Sequence, residues 1–238
     1  YENLALGVRD MQAGELQIEL ILKRLLEKGR IVFKRAYCDW STHRKAVREF
    51  HSNGIEMVDI PRSKMSGKNS ADIHMVVDAV DLCYSKNHID IFALLTGDSD
   101  FSPLASKLKE NNKRVLGCGV KNSTSKLLIG NCDEFIFYDD LVRAIKPKAR
   151  KTGTKASDKG DAALEQVMEI IRSLERDYDS IWGSMIKQTI RRVHPDFNEV
   201  YAGYRNFGEL LKDAEKRKFV DLEYDESRGN YKVLLRAE

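Results

Sequence analysis

The chain has no run of the ~18–20 uncharged apolar residues that a membrane-spanning helix needs, and no basic-then-apolar leader at its start. These absences set the expectation of a soluble, cytoplasmic protein with no membrane partner. Cysteine is sparse: Cys38, Cys83, Cys118 and Cys132 lie 45, 35 and 14 residues apart, which is neither a zinc-ligand spacing nor a dense disulfide pattern. The four read as small buried hydrophobes in a reducing compartment. Net charge is small as well, +3 over 238 residues. What is present is enough for substantial cores. A 42% apolar fraction beside a 32% charged fraction excludes wholesale disorder, and the length suits one large or two small domains.

The small net charge conceals a local surplus. Residues 1–146 carry 22 basic and 20 acidic side chains, residues 147–160 carry 5 and 1, and residues 161–238 carry 13 and 16. The middle stretch has no large apolar side chain to bury, so it reads as a flexible linker or as an arm whose lysines and arginines contact phosphates. It divides the chain into a first domain, 1–146, and a second, 161–238.

In the first domain, strand-length apolar runs alternate with helical patterns, the rhythm of a parallel sheet covered by helices. Strands are expected near 31–37, 55–60, 89–95, 114–118 and 134–138. Helices are expected at 15–27, 43–51, 71–85, 102–111 and 139–145, with Ser102 as an N-cap ahead of Pro103. The run 89–95 is nearly all apolar and reads as the central strand, buried on both faces.

At the carboxyl end of that run stands Thr96-Gly97-Asp98-Ser99-Asp100-Phe101. Ligands of open α/β sheets bind outside the carboxyl ends of the strands. Two carboxylates two residues apart there repel each other unless a cation lies between them. Asp72 adds a third. On a wheel of ~100° per residue it shares an arc with Val76, Val80, Cys83, Ile73 and Val77, whereas His74, Asp78 and Asp81 fall opposite. A carboxylate facing a core is costly unless it is paired or coordinated; capping its own helix, worth ~0.3–1 kcal/mol, is compatible with either. Oxygen-only ligands suit Mg²⁺ or Mn²⁺, the apparatus for phosphodiester hydrolysis without a nucleophilic serine or cysteine. The loop before Asp72 supplies Arg62, Lys64 and Lys68, placed to attract a nucleic-acid backbone, with Lys68 the leading phosphate contact.

These residues carry a resemblance. Lys68-Asn69-x-Ala71-Asp72, Leu94 to Leu104 through Thr96-Gly97-Asp98-Ser99-Asp100-Phe101, Ser123–Ser125 and Asp133-Glu134-Phe135 together resemble the NYN family of PIN-like ribonucleases. The resemblance implies a Mg²⁺- or Mn²⁺-dependent endoribonuclease acting on RNA, with Asp72, Asp98 and Asp100 as metal-binding catalytic residues. It also places Asn3, Ser123 and Ser125 near the site, as candidate RNA-binding residues. Family members open with an apolar strand ending in aspartate, followed closely by Asn-Leu; here Tyr1-Glu2-Asn3-Leu4 begins inside that motif, so the strand and its aspartate are expected upstream. Glu2 is a candidate substitute ligand.

The second domain reads as helices at 161–176, 184–193 and 207–218, followed by a hairpin of 219–224 and 230–235, the plan of a winged helix-turn-helix. Trp182, Pro195-x-Phe197 and Tyr201-x-Gly203-Tyr204-x-Asn206-Phe207-x-x-Leu210-Leu211 resemble an OST-HTH (LOTUS) domain, which implies RNA or a protein as partner. Lys187, Arg191 and Arg192 form the candidate phosphate-contacting patch, or a solvated helix surface. Phe197, Tyr204 and Phe207 read as core aromatics. The whole chain thus reads as a nuclease tethered to a binding module. The alternatives are a non-catalytic RNA-binding or scaffold protein with a vestigial site, and a phosphatase of small molecules.

Overall fold

The computed structural model describes residues 1–11, 14–61, 69–145, 158–194 and 197–236. The chain forms two compact units: Tyr1–Leu22 with Ile31–Lys148, and Lys23–Arg30 with Ala149–Glu238. Lys23–Arg30, the end of a helix in the first segment, belongs to the second unit. Within that unit Arg24 donates to Glu27, Ser173 and Asp177 at 2.6, 2.9 and 2.9 Å, and Lys28 pairs with Asp177 at 2.9 Å.

The first unit is mixed α/β. Its helices are α1 (Glu2–Asp10), α2 (Ile18–Lys28, whose latter half lies in the second unit), α3 (Arg44–Ser52), α4 (Ser70–Ser85), α5 (Ser102–Glu110), α6 (Lys126–Asn131) and α7 (Tyr138–Ile145). Its strands, β1 (Arg35–Cys38), β2 (Glu56–Asp59), β3 (Ile91–Leu95), β4 (Arg114–Gly119) and β5 (Glu134–Phe137), are all parallel to their partners. Parallel neighbours demand crossovers, and α3, α5 and α6 supply them.

Two expectations are corrected. Among the described residues the strands form two sheets, β1-β2 and β3-β4-β5, not one. The run at 89–95 is not a central strand: β3 lies at an edge, with Phe92 and Leu94 buried and Ala93 exposed. The centre is β4, buried from Val115 to Gly119 although it contains two glycines. Gly117 explains the misreading. A Cβ there would sit 2.3 Å from the Phe135 ring, so the strand is covered by its neighbour's aromatic and needs no apolar bulk of its own.

Helix α4 joins this sheet to β1. Ala79 and Cys83 enter a core with Phe92, Leu94, Leu104, Ala105 and Leu108. On another face Asp78 accepts from Arg35 at 2.5 Å and from the Tyr37 hydroxyl at 2.7 Å. The expected apolar arc was too wide: Ile73 and Val77 are 62% and 60% exposed. The inward seam runs from half-buried Asp72 and Val76 to buried Ala79 and Cys83, at the three- and four-residue spacings of one helix stripe.

The second unit comprises α8 (Asp158–Glu175), β6 (Ile181–Trp182), α9 (Gly183–Val193), α10 (Phe207–Lys216), β7 (Val220–Asp225) and β8 (Asn230–Leu235), with antiparallel sheet order β6-β8-β7. Helix α8 begins at Asp158, inside the stretch read as linker. Leu164, Val167, Ile171, Ile186, Ile190, Leu210, Leu211, Val220 and Val233 form its core, and Phe207 is buried among them with Phe197 and Tyr204 packed alongside. Among the described residues no helix is long and apolar enough to cross a membrane.

Candidate active site

Asp98 follows β3 and caps a 3-10 turn, Ser99–Phe101, by accepting the Asp100 amide on Oδ1 at 3.0 Å. The expected cap at Ser102 is corrected accordingly: Ser102 is already helical, α5 has no side-chain cap at its own N-cap Phe101, and the capping side chain is Asp98, four residues before Ser102, on the preceding 3-10 turn. The turn interposed between strand and helix is what displaces the cap. It also holds Asp98 and Asp100 on one short, hydrogen-bonded segment.

Behind them the floor is made of backbone and small side chains. The buried Thr96 hydroxyl accepts from the Asp98 amide at 3.2 Å and from Asn3 Nδ2 at 3.4 Å, so α1 is tied to the end of β3. Ser125 donates its amide to the Gly97 carbonyl at 2.9 Å while its hydroxyl caps α6 by accepting from Leu127 at 3.2 Å. Thr124 donates to Val120 at 2.6 Å. Ser123 packs against α1, where a Cβ on Gly7 would lie 2.4 Å from its Oγ. At Gly97 a Cβ would meet the Ser123 carbonyl oxygen at 2.8 Å. Glycine at position 97 lets the end of β3 approach the main chain of this loop, and glycine at position 7 lets α1 approach its Ser123 side chain.

Asp72, in the first turn of α4, completes the acidic group. Burial, then the charges of Asp98 and Asp100, push its carboxyl above the ordinary aspartate range; Glu2 adds to the effect and the Tyr1 amine opposes it. The Asp72 carboxyl thus feels the charges of the segment that carries Asp98 and Asp100. The oxygens of the three aspartates are not drawn into one tight cluster. Among the described residues, the set whose ligand atoms all lie within 4.8 Å of one another is Glu2, Cys38 and His43. Neither Cys38 nor His43 carries a sequence signal as a ligand, since they stand five residues apart and Glu2 lies far upstream. The donor chemistry of the aspartates, three oxygen ligands of like charge, fits a hard divalent cation that neutralises them.

The remaining candidates are placed as follows. Lys64 and Lys68 lie outside the described residues, as does the stretch 146–157. In the second unit Lys187 and Arg191 both approach Glu199, at 3.0 and 3.8 Å, and Arg192 donates to the Glu27 carbonyl at 3.0 Å and to Thr189 at 3.0 Å. Asp78, which the wheel sets away from Asp72, is committed to Arg35 and Tyr37.

Comparison with known proteins bears on the first unit. An uncharacterised protein of Methanocaldococcus jannaschii is 31% identical over 144 residues, covering 60% of this chain and 57% of that one, so the chain spans little more than half of that relative's length. A Vibrio parahaemolyticus protein of unknown function has a crystal structure that matches with a TM-score of 0.52 at 24% identity, over 59% of this chain and 89% of that one, a likeness of fold. The family model for the NYN domain matches residues 1–139. With the fold, the motif and this match in agreement, the chain belongs to the NYN domain family, which is nuclease-like.

Proposed function

We propose that the first unit is a Mg²⁺- or Mn²⁺-dependent endoribonuclease, with Asp72, Asp98 and Asp100 holding the ion, and that the second unit is a winged-helix module of OST-HTH type that holds RNA or a protein partner. The single observation behind the first part is an acidic group in an NYN domain: Asp98 and Asp100 share one hydrogen-bonded segment after β3, and the Asp72 carboxyl on α4 is pushed up by burial and then by their charges. Such a group is unfavourable by itself and becomes favourable around a cation. A divalent ion bound there would supply an activated water and neutralise charge on the leaving oxygen of a phosphodiester.

The protein's own contribution is orientation. Asp98 is fixed through Oδ1 by the Asp100 amide, which leaves Oδ2 outside that bond. Asp72 is carried on a sixteen-residue helix whose seam is locked into the core, so its position does not depend on a loop. Asn3, Ser123 and Ser125 act as positioning residues: they pin α1 and the β4–α6 loop against Thr96 and Gly97. Lys64 and Lys68 are proposed as phosphate contacts from the preceding loop. In the second unit Lys187 and Arg191 are proposed to exchange Glu199 for phosphate oxygens when RNA arrives, with Arg192 beside them.

The test is cleavage of a labelled oligoribonucleotide with Mg²⁺ or Mn²⁺, by wild type and by Asp98→Asn, with and without EDTA. Cleavage confined to wild type with metal is expected. Equal cleavage by both proteins, unaffected by EDTA, rejects the proposal. RNA binding with no cleavage under any metal assigns the chain to the alternative class, an RNA-binding scaffold; cleavage of mononucleotide esters with none of RNA indicates a phosphatase.

A further inference from the structure

We infer that Glu2, Cys38 and His43 form a second, separate metal site, one that takes a borderline-soft divalent ion such as Zn²⁺. Glu2 opens α1, Cys38 ends β1, and His43 stands at the N-cap of α3. Their carboxylate, thiol and imidazole ligand atoms lie within 4.8 Å of one another, and the Glu2 oxygen and His43 Nε2 are 3.3 Å apart. Ligands about 2.0–2.3 Å from zinc stand roughly 3.3–3.8 Å from each other in a tetrahedron, so the Glu2–His43 pair is already at coordinating separation and Cys38 needs only a small approach.

The frame around the three residues is stiff. The Tyr1 ring meets the His43 ring edge-on at 5.0 Å and also packs on Trp40 and Phe50, at 5.3 Å each. Trp40 is buried and its indole donates to the Val58 carbonyl at 3.1 Å. The Tyr1 amine donates to the Tyr37 carbonyl at 3.2 Å, holding the start of α1 against the end of β1. Cys38 is buried while Glu2 and His43 keep about a third of their side chains in solvent, which gives an ion a route in.

The chemistry separates this site from the aspartates. Thiolate and imidazole favour Zn²⁺ or Co²⁺ and discriminate against Mg²⁺, whereas an all-oxygen group favours Mg²⁺ or Mn²⁺. Binding requires Cys38 to give up its proton to solvent, so affinity rises with pH. A bound ion would clamp α1, β1 and α3 together. The inference does not rest on the nuclease reading.

The experiment is a Co²⁺ titration of the reduced chain in excess Mg²⁺, followed by thiolate-to-cobalt charge-transfer absorption and repeated for Zn²⁺ by thermal melting. One equivalent of Co²⁺ with a thiolate band is expected in wild type. The band should vanish in Cys38→Ser and persist in Cys132→Ser and Asp98→Asn. His43→Gln and Glu2→Gln, at half-exposed positions where the fold tolerates change, should each weaken binding by about tenfold or more, at least what loss of an outer-shell partner costs. Zn²⁺ should raise the melting temperature of wild type and leave Cys38→Ser unchanged. No thiolate band in wild type, a band that survives Cys38→Ser, or one that disappears in Asp98→Asn overturns the inference. A band without RNA cleavage sinks the nuclease reading and leaves this one standing.

Discussion

Asn3 and Thr96 meet across 93 residues of sequence, the amide nitrogen of the first 3.4 Å from the hydroxyl of the second. The same hydroxyl receives the Asp98 amide. One buried oxygen thus sets both where α1 begins and where the acidic segment starts. Replacing Thr96 with valine, which has the same shape, leaves two donors without their acceptor, and a loss of about 1–3 kcal/mol in urea unfolding is expected. Asn3→Ala removes one donor and should cost less.

Asp98 has two duties that substitution can separate. Asparagine caps helical turns as well as aspartate does, so Asp98→Asn should retain the melting temperature while losing RNA cleavage. Asp98→Ala should lose both, with a stability cost of about 0.5–2 kcal/mol from the missing cap. Thermal melts of the two variants beside a cleavage assay distinguish capping from chemistry.

Asp72 gives a pH dependence whose sign follows from its raised proton affinity. Its folded value lies above its unfolded one, so ionising it opposes folding: the protein is better off below the unfolded aspartate range and loses that advantage as pH rises through the folded value. Asp72→Asn should therefore melt higher than wild type at neutral pH without metal, and the difference should close in acid. Adding Mg²⁺ should stabilise wild type more than the variant.

In the second unit Glu199 holds Lys187 and Arg191. If the cations exchange that partner for phosphates, Lys187→Ala and Arg191→Ala should each flatten the log–log salt dependence of single-stranded RNA binding by ~0.7, and Glu199→Gln should strengthen binding. Filter binding at several salt concentrations measures both.

The sequence made the elements legible where local pattern and environment agree. The seam of α4 is an example, and so is the position of Asp72 on it. The pattern overreached where exposure is decided by neighbours: Ile73 and Val77 belong to an apolar arc on the wheel, yet no described element covers them. The short parallel strands were visible, but their grouping was not, because pairing is a relation between segments and leaves no periodicity in either one. Asp98 and Asp100 stood out by motif. Cys38 and His43 did not, and Glu2 was legible only as a possible ligand beside the aspartates, since three unlike side chains from three elements become a group only once the chain is folded.

Gly97 carries a consequence beyond its own turn. A single added carbon there would press within 2.8 Å of the Ser123 carbonyl oxygen, which is main chain and has no rotamer with which to yield. Gly97→Ala should cost about 1–3 kcal/mol in urea unfolding and tilt the segment bearing Asp98 and Asp100. A descendant of this protein could thus fall silent while every acidic residue stayed in place, and a census of aspartates would still count it as competent.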